Sequence, residues 1–121
     1  ITFVSYSPLG RGFFFFVIKS RADFEAGDFR LNNPRFTDEA INENIKFVEI
    51  IDQLAKAKGA TKAQIALSWI LSQNDEIMAI PGTRKIHRLE ENLGSYNVEL
   101  SQADLDIIEA SVPIITIGSR Y

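Results

Sequence analysis

The sequence predicts a helix-rich α/β protein that contains two β-strands. Residues 2–6 and 76–80 are short apolar runs that end at turn-forming residues, Ser7-Pro8 and Pro81-Gly82. Apolar runs of this length, bounded by turn signals, are typical of buried strands. The other segments carry apolar residues at helical spacing or helix-capping signals. They predict four helices, at residues 44–58, 61–73, 85–93 and 101–110.

The first strand leads into a glycine turn and then into a long irregular segment. Ser7-Pro8 is followed by a Gly-x-Gly turn at Gly10 and Gly12. Residues 19–42 contain glycine, proline, asparagine and many charges, and their periodicity is weak. We therefore expect a long loop there, and loops of this length are usually functional or disordered.

The two central helices are the best-supported elements of the sequence. Apolar side chains recur at helical spacing through residues 44–58, and Gly59 marks the end of that helix. Residues 61–73 begin with Thr61 and Gln64, whose capping-box spacing lets each side chain satisfy a free backbone N–H group. One face of this helix is so apolar that we expect heavy burial, with Trp69 packing in the core rather than contacting a ligand.

The last two helices follow the second strand. Residues 85–93 begin just after Pro81-Gly82, and residues 101–110 have Ser101 as their cap. Pro113 should end the last helix, because proline cannot continue one. Residues 114–117 are apolar and fit either a strand or an extended tail.

The composition argues against several classes of function. The 121 residues are 45% hydrophobic and 24% charged, as in a soluble globular domain. A net charge of −3 argues against a nucleic-acid-binding protein, and the absence of cysteine excludes disulfides and thiolate metal sites. The longest apolar run, residues 13–18, is far shorter than the roughly 20 residues that span a bilayer. We expect no metal, no nucleic acid, no membrane and a cytoplasmic location.

The junction after the second strand has the chemistry of a phosphate-binding site. Three cations, Arg84, Lys85 and Arg88, lie at the start of a predicted helix. The unpaired backbone N–H groups of a helix N-terminus also favour an anion. A guanidinium can bind two phosphate oxygens at once, and Gly82 lets the backbone approach a ligand closely. The alternative interpretation is a solvated, charged helix start.

This segment resembles the last βα unit of the aldo-keto reductases. The residues at matching offsets are Pro81, Gly82, Thr83, Arg88, Glu91 and Asn92. The resemblance implies that Thr83, Arg84 and Arg88 face the 2′-phosphate of NADPH. It places Glu91 and Asn92 at the adenine, whose edge can use an acceptor and an amide.

The start of the chain resembles the seventh barrel strand of the same family and the loop after it. The family pattern is an aromatic residue followed by Ser-Pro-Leu-Gly-x-Gly, which is present from Tyr6 to Gly12. By that match Tyr6 would stack on the nicotinamide ring. The residues that would border the pyrophosphate are Ser7, Leu9, Gly10 and Arg11. Two matched segments in this order imply the C-terminal part of a (β/α)8 TIM barrel over residues 1–121, with two parallel strands.

The family's catalytic set has no match in this chain. That set is an Asp, a Tyr, a Lys and a His on barrel strands one to four, which would precede Ile1, and the lone histidine, His87, does not correspond to it. The resemblance implies an NADPH-dependent oxidoreductase that reduces aldehydes or ketones to alcohols, with this chain carrying the cofactor-binding portion. The alternatives are a non-catalytic nucleotide-binding or assembly module, and a packing fragment without a ligand.

Two strands cannot close a barrel, and each would keep an edge of unpaired backbone groups. Either further strands exist on a longer natural chain, or this chain associates with itself through those edges. The chain most resembles the branch of the family that has the elements present here at residues 10–13, 28–30 and 34–36. It departs from that branch at Phe15 and Phe16, which replace a Thr-Gly pair. The change removes a glycine and with it easy access to positive φ in that loop.

Overall fold

The computed structural model describes residues 1–14 and 18–111. Its strands and α-helices are β1 Phe3–Tyr6, α1 Asp38–Lys58, α2 Lys62–Ser72, β2 Ile77–Ile80, α3 Ile86–Leu93 and α4 Gln102–Ser111. None of the described helices is both long and apolar enough to cross a membrane. The expectations for Phe15, Phe16, Pro113 and residues 114–117 lie outside the described residues.

Strands β1 and β2 form a parallel pair, which confirms the predicted arrangement. Phe3 pairs with Ile77 at one end and Tyr6 pairs with Ile80 at the other. Parallel neighbours need a long crossover, and α1 and α2 provide it here. The prediction that β1 is buried was wrong, because Phe3 is 65% exposed and Tyr6 49%. The strand has only one neighbour among the described residues, so little covers its side chains.

The loop expected at residues 19–42 is wrong in its last part, because α1 already begins at Asp38. The Thr37 hydroxyl caps the helix by accepting the backbone N–H of Ala40 at 3.2 Å. Ala40 and Ile41 are fully buried, so the added turn is held by packing as well as by its cap. The rest of the segment contains three short 3₁₀ turns, Arg21–Asp23, Phe29–Asn32 and Pro34–Phe36.

Helix α2 begins with the predicted capping box. The backbone N–H of Gln64 donates to the Thr61 hydroxyl at 3.2 Å, and the N–H of Thr61 donates to the Gln64 side chain at 3.0 Å. Heavy burial is also confirmed for Ala63, Ile65, Ala66, Leu67 and Ser68. Trp69 is partly buried and packs against the main core.

Two apolar clusters position the turn that follows β1. The main core joins α1, α2 and α4 and is formed by Ile51, Leu54, Ala55, Ile65 and Ile108. A second cluster packs Leu9 against Ala63, Ala66 and Leu67 of α2. Since α2 also packs against β2 and α3, it fixes the turn after β1 beside the junction between β2 and α3.

An ion pair between the end of α1 and the start of α4 should make stability depend on pH. Lys58 Nζ lies 2.6 Å from Asp104 Oδ2. Hydrogen bonds from Lys58, and then from Ser101, lower the pKa of Asp104 from its ordinary 3.8 to about 2. A folded-state pKa below the unfolded value means that the carboxylate stabilises the fold above about pH 4. This contribution is lost as the pH falls through about 2.

We therefore expect the difference in urea midpoint between the wild-type chain and Asp104→Asn to shrink between about pH 5 and pH 2. A difference that stays constant over this range would contradict the assignment of the stabilisation to the charged carboxylate.

Candidate functional site

A cavity of about 670 Å³ lies between the turn after β1 and the junction of β2 with α3. Its lining residues are Ser7, Pro8, Leu9, Arg11, Gly12, Gly82, Thr83, Arg84, Lys85 and Arg88. All four charged members of this lining are cations, although the chain as a whole carries a net charge of −3. A concave site with a concentrated positive charge suits a small anionic ligand. We call this the cationic cavity.

One wall of the cationic cavity is a turn of unusual backbone shape. Gly10, Arg11 and Gly12 have φ values of 59°, 56° and 94°, all in the left-handed region. The two glycines adopt that region at little cost, whereas Arg11 does not. The N–H of Gly10 donates to the Ser7 carbonyl and that of Gly12 to the Leu9 carbonyl, both at 3.1 Å. These hydrogen bonds form the turn without a ligand.

The opposite wall is the junction between β2 and α3. The Thr83 hydroxyl accepts the backbone N–H of Lys85 at 3.2 Å, and both Thr83 and Arg84 are exposed. The N-cap residue of α3, Lys85, makes no capping hydrogen bond with its side chain. Gly82 has no positive φ, but a side chain built there would meet no atom within 4 Å. The glycine therefore keeps this wall open rather than serving a special backbone shape.

Arg88 is held in place by an acid on its own helix. Its Nη1 lies 2.6 Å from Glu91 Oε2, and the Glu91 side chain is only 15% exposed. Residues three apart on a helix share a face, which makes this pairing local. The Glu91 carbonyl also accepts a hydrogen bond from Gln64 Nε2 at 3.0 Å, which ties α3 to α2. The carboxylate thus orients the guanidinium that lines the cavity.

Asn92 is a buried amide with neither polar atom satisfied. It is 5% exposed, and its Nδ2 and Oδ1 atoms have no hydrogen-bond partner in the described structure. Burying such a group unpaired costs about 1–3 kcal/mol. Asn92 follows Arg88 by one helical turn, so both lie on the same face of α3. A donor and an acceptor left unpaired on the helix face that carries Arg88 are suited to a ligand that offers both.

The structure brings together most of the predicted site residues. The cationic cavity gathers Ser7, Leu9, Arg11, Gly82, Thr83, Arg84 and Arg88. Tyr6 and Gly10 instead line an adjoining cavity of about 370 Å³, which shares Ser7, Pro8 and Arg11 with the first. Glu91 and Asn92 line neither cavity and follow Arg88 along α3. Leu9 is buried against α2, so its side chain supports the turn.

Sequence reasoning missed two groups at this site. Pro8, Gly12 and Lys85 line the cationic cavity but were not among the expected ligand residues. Asp28 and Arg30 form an ion pair behind Arg11, in a segment expected to be a loop. The Asp-x-Arg spacing was visible, but its contact with Arg11 spans 19 positions of the chain. His87 is exposed, and no described cluster of three acidic or histidine residues could hold a metal.

Two parallel strands joined through helices, with cations gathered at a strand-to-helix junction, define an α/β protein. The model of the Aldo/keto reductase family matches residues 1–113. The chain therefore belongs to the aldo/keto reductase family.

Curated relatives and a solved structure agree with this assignment. The chain is 44% identical over 122 residues to the aldo-keto reductase yakc [NADP(+)] of Schizosaccharomyces pombe, covering all of this chain and 36% of that protein. It is 41% identical to the probable aldo-keto reductase 1 of Glycine max, again over all of this chain and 35% of that protein. The chain thus spans about a third of the length of these relatives.

The fold also matches a thermostable aldo-keto reductase that was crystallised with the inhibitor epalrestat. The TM-score is 0.61 at 24% identity, and the match covers 93% of this chain and 30% of that one. The two parallel strands and their helices are therefore part of a (β/α)8 barrel arrangement, as the sequence predicted.

Proposed function

We propose that this chain binds NADPH in the cationic cavity and forms the cofactor-binding portion of an oxidoreductase that reduces aldehydes or ketones to alcohols. The observation that carries the proposal is the convergence of Arg11, Arg84, Lys85 and Arg88 on one cavity. The NADP(+) in the name of the Schizosaccharomyces pombe relative supports a phosphorylated nicotinamide cofactor.

The residues present fit the parts of this cofactor. Thr83, Arg84 and Arg88 offer a hydroxyl and two guanidinium groups to the 2′-phosphate. The unpaired amide of Asn92 offers a donor and an acceptor to the adenine, on the same helix face as Arg88. Tyr6 is half-exposed at the end of β1, where its ring could lie against the nicotinamide. When bound, NADPH supplies the hydride for the carbonyl carbon.

The role proposed for these residues is to bind and orient the cofactor. Ser7, Leu9, Gly10 and Arg11 would border the pyrophosphate, and the preformed turn limits the ordering that binding requires. The catalytic residues and most of the pocket for a small carbonyl substrate are proposed to lie on barrel units outside this chain. A cytoplasmic location is part of the same proposal.

Calorimetric titration of the chain with NADP⁺ and with NAD⁺ tests the proposal. We expect binding of NADP⁺ that is clearly tighter than binding of NAD⁺, because only NADP⁺ carries the 2′-phosphate. Equal affinities would contradict the assignment of the cationic cavity to that phosphate.

The second candidate is a non-catalytic nucleotide-binding module, which requires only the cationic cavity. A carbonyl reductase assay with this chain and NADPH separates the question of chemistry from that of binding. We expect binding without turnover. Turnover by the 121 residues would contradict the placement of the chemistry outside the chain.

We also propose that the chain associates with itself through its two-stranded sheet. Phe3, Val4, Met78 and Ile80 are 49–65% exposed on β1 and β2. Apolar strand edges of this kind are templates for pairing with another chain. We expect Val4→Lys to shift the chain towards monomer in sedimentation velocity experiments.

The matched control is Ile107→Lys, which changes a side chain of similar exposure, 52%, on α4 rather than on the sheet. If both variants shift the sedimentation profile equally, or neither does, the strand edges are not the contact surface.

A further inference from the structure

A half-buried ion pair lies directly behind the left-handed turn of the cationic cavity. Arg30 Nε donates to both carboxylate oxygens of Asp28, at 3.0 and 3.1 Å. The two side chains are only 18% and 17% exposed. The guanidinium of Arg30 also stacks on the ring of Phe24, with 4.6 Å between its central carbon and the ring centre. Arg30 is therefore fixed from two sides.

This pair contacts the turn at Arg11, one of two non-glycine residues there, with Ser7, that have positive φ. Arg30 Nη1 donates to the backbone carbonyl of Arg11 at 3.3 Å. The Arg11 guanidinium lies over the ring of Phe29, 5.8 Å from its centre. Arg11 has φ of 56°, and a non-glycine residue in that region costs about 1 kcal/mol or more. Such a conformation persists where neighbouring groups hold it in place.

These contacts affect the cavity because they are made to Arg11, one of its lining residues. Arg11 lines both the cationic cavity and the adjoining one, so its orientation affects how a ligand would cross from one to the other. Asp28 and Arg30 line neither cavity. Arg30 reaches the lining of both cavities through its hydrogen bond to the Arg11 carbonyl. Hydrogen bonds from Arg30 lower the pKa of Asp28 from its ordinary 3.8 to about 2, so the ion pair stays charged well into the acid range.

From these contacts we infer that Asp28 and Arg30 are positioning residues that hold Arg11 towards the pyrophosphate of the bound dinucleotide. This inference rests on the proposed function. Arg30 fixes the backbone of Arg11 and Phe29 supports its side chain, while Asp28 keeps Arg30 in the required rotamer. The 3₁₀ turn Phe29–Asn32 thus supports the turn Gly10–Gly12, which is proposed to border the pyrophosphate.

Affinity for NADP⁺, measured by calorimetry on the full 121-residue chain, tests the inference. Arg30→Lys keeps the charge but loses the forked geometry that reaches both Asp28 and the Arg11 carbonyl. We expect it to weaken NADP⁺ binding roughly fivefold, as loss of one or two modest hydrogen bonds would. Asp28→Asn should act in the same direction.

A double-mutant cycle distinguishes positioning from general destabilisation. If Arg30 acts through Arg11, then Arg30→Lys should have no further effect on NADP⁺ affinity in an Arg11→Ala background. The matched control is Asp104→Asn, which breaks an ion pair that lines neither cavity. It should reduce the thermal midpoint without changing NADP⁺ affinity.

The outcomes separate this inference from the proposed function. If the wild-type chain binds NADP⁺ and Arg30→Lys binds it equally well, only the positioning role is overturned. The same holds if the effects of Arg30→Lys and Arg11→Ala on NADP⁺ affinity are additive. A wild-type chain that fails to bind NADP⁺ overturns the proposed function and this role with it.

Discussion

Replacing Arg84 and Arg88 together by alanine is expected to weaken NADPH binding roughly 100-fold while leaving NADH binding nearly unchanged. Each charge-assisted contact with a phosphate contributes about 1.5–3 kcal/mol, and each 1.4 kcal/mol corresponds to about tenfold in affinity. Arg84 is exposed, so solvent screening favours the lower end of that range. Two contacts of ~1.5 kcal/mol give the expected factor. The measurement is a titration of the variant and the wild-type chain with both coenzymes.

The matched control is Lys46→Ala/Lys62→Ala, which removes two cations that do not line the cationic cavity. It lowers the net charge equally, so any general electrostatic attraction of the coenzyme is lost to the same extent. We expect this variant to bind NADPH like the wild type. Equal losses in both double variants would show that overall charge, rather than a phosphate site, sets the affinity.

Replacing Asn92 by alanine should weaken dinucleotide binding about tenfold or more without destabilising the free chain. The amide is buried with both polar atoms unpaired, so its removal relieves a cost of about 1–3 kcal/mol. The small cavity left by the shorter side chain offsets part of that gain. Loss of two hydrogen bonds to the adenine would reduce affinity by a comparable free energy. Urea unfolding and calorimetry measure the two effects separately.

Asn33 provides the control for this experiment because it is a buried asparagine with a partner. It is 8% exposed, and its side-chain oxygen accepts the backbone N–H of Arg35 at 3.0 Å. Asn33→Ala should destabilise the chain by about 1 kcal/mol, as loss of a helix cap does. If Asn92→Ala destabilises the chain as much and leaves binding intact, the amide is a structural residue and has no role at the adenine.

Local signals in the sequence predicted the elements whose ends are set by local hydrogen bonds. The capping box of Thr61 and Gln64 was read correctly because both partners lie within one helical turn. The start of α1 could have been predicted in the same way, because it is also set by a local hydrogen bond, from the Ala40 N–H to the Thr37 hydroxyl. Weak periodicity around that point hid it, because the helix opens with two exposed acids, Asp38 and Glu39, before its first buried residues.

Features that depend on distant parts of the chain were not predictable in the same way. The apolar pattern of residues 2–6 could not predict that β1 would be exposed, because strand burial depends on which neighbours pair with it. The pairing of Arg88 with Glu91 could have been predicted from their spacing, because residues three apart share a helix face. Instead, Arg88 was expected at the 2′-phosphate and Glu91 at the adenine. The contact of Arg30 with Arg11 requires the folded path of the segment between them.

The most direct test of the central claim is a crystal structure of this chain with NADP⁺ bound. We expect the 2′-phosphate within about 3 Å of guanidinium nitrogens of Arg84 and Arg88 and of the Thr83 hydroxyl. We also expect the Asn92 amide to hydrogen-bond the adenine. A dinucleotide bound with its 2′-phosphate away from the junction of β2 and α3 would contradict the account.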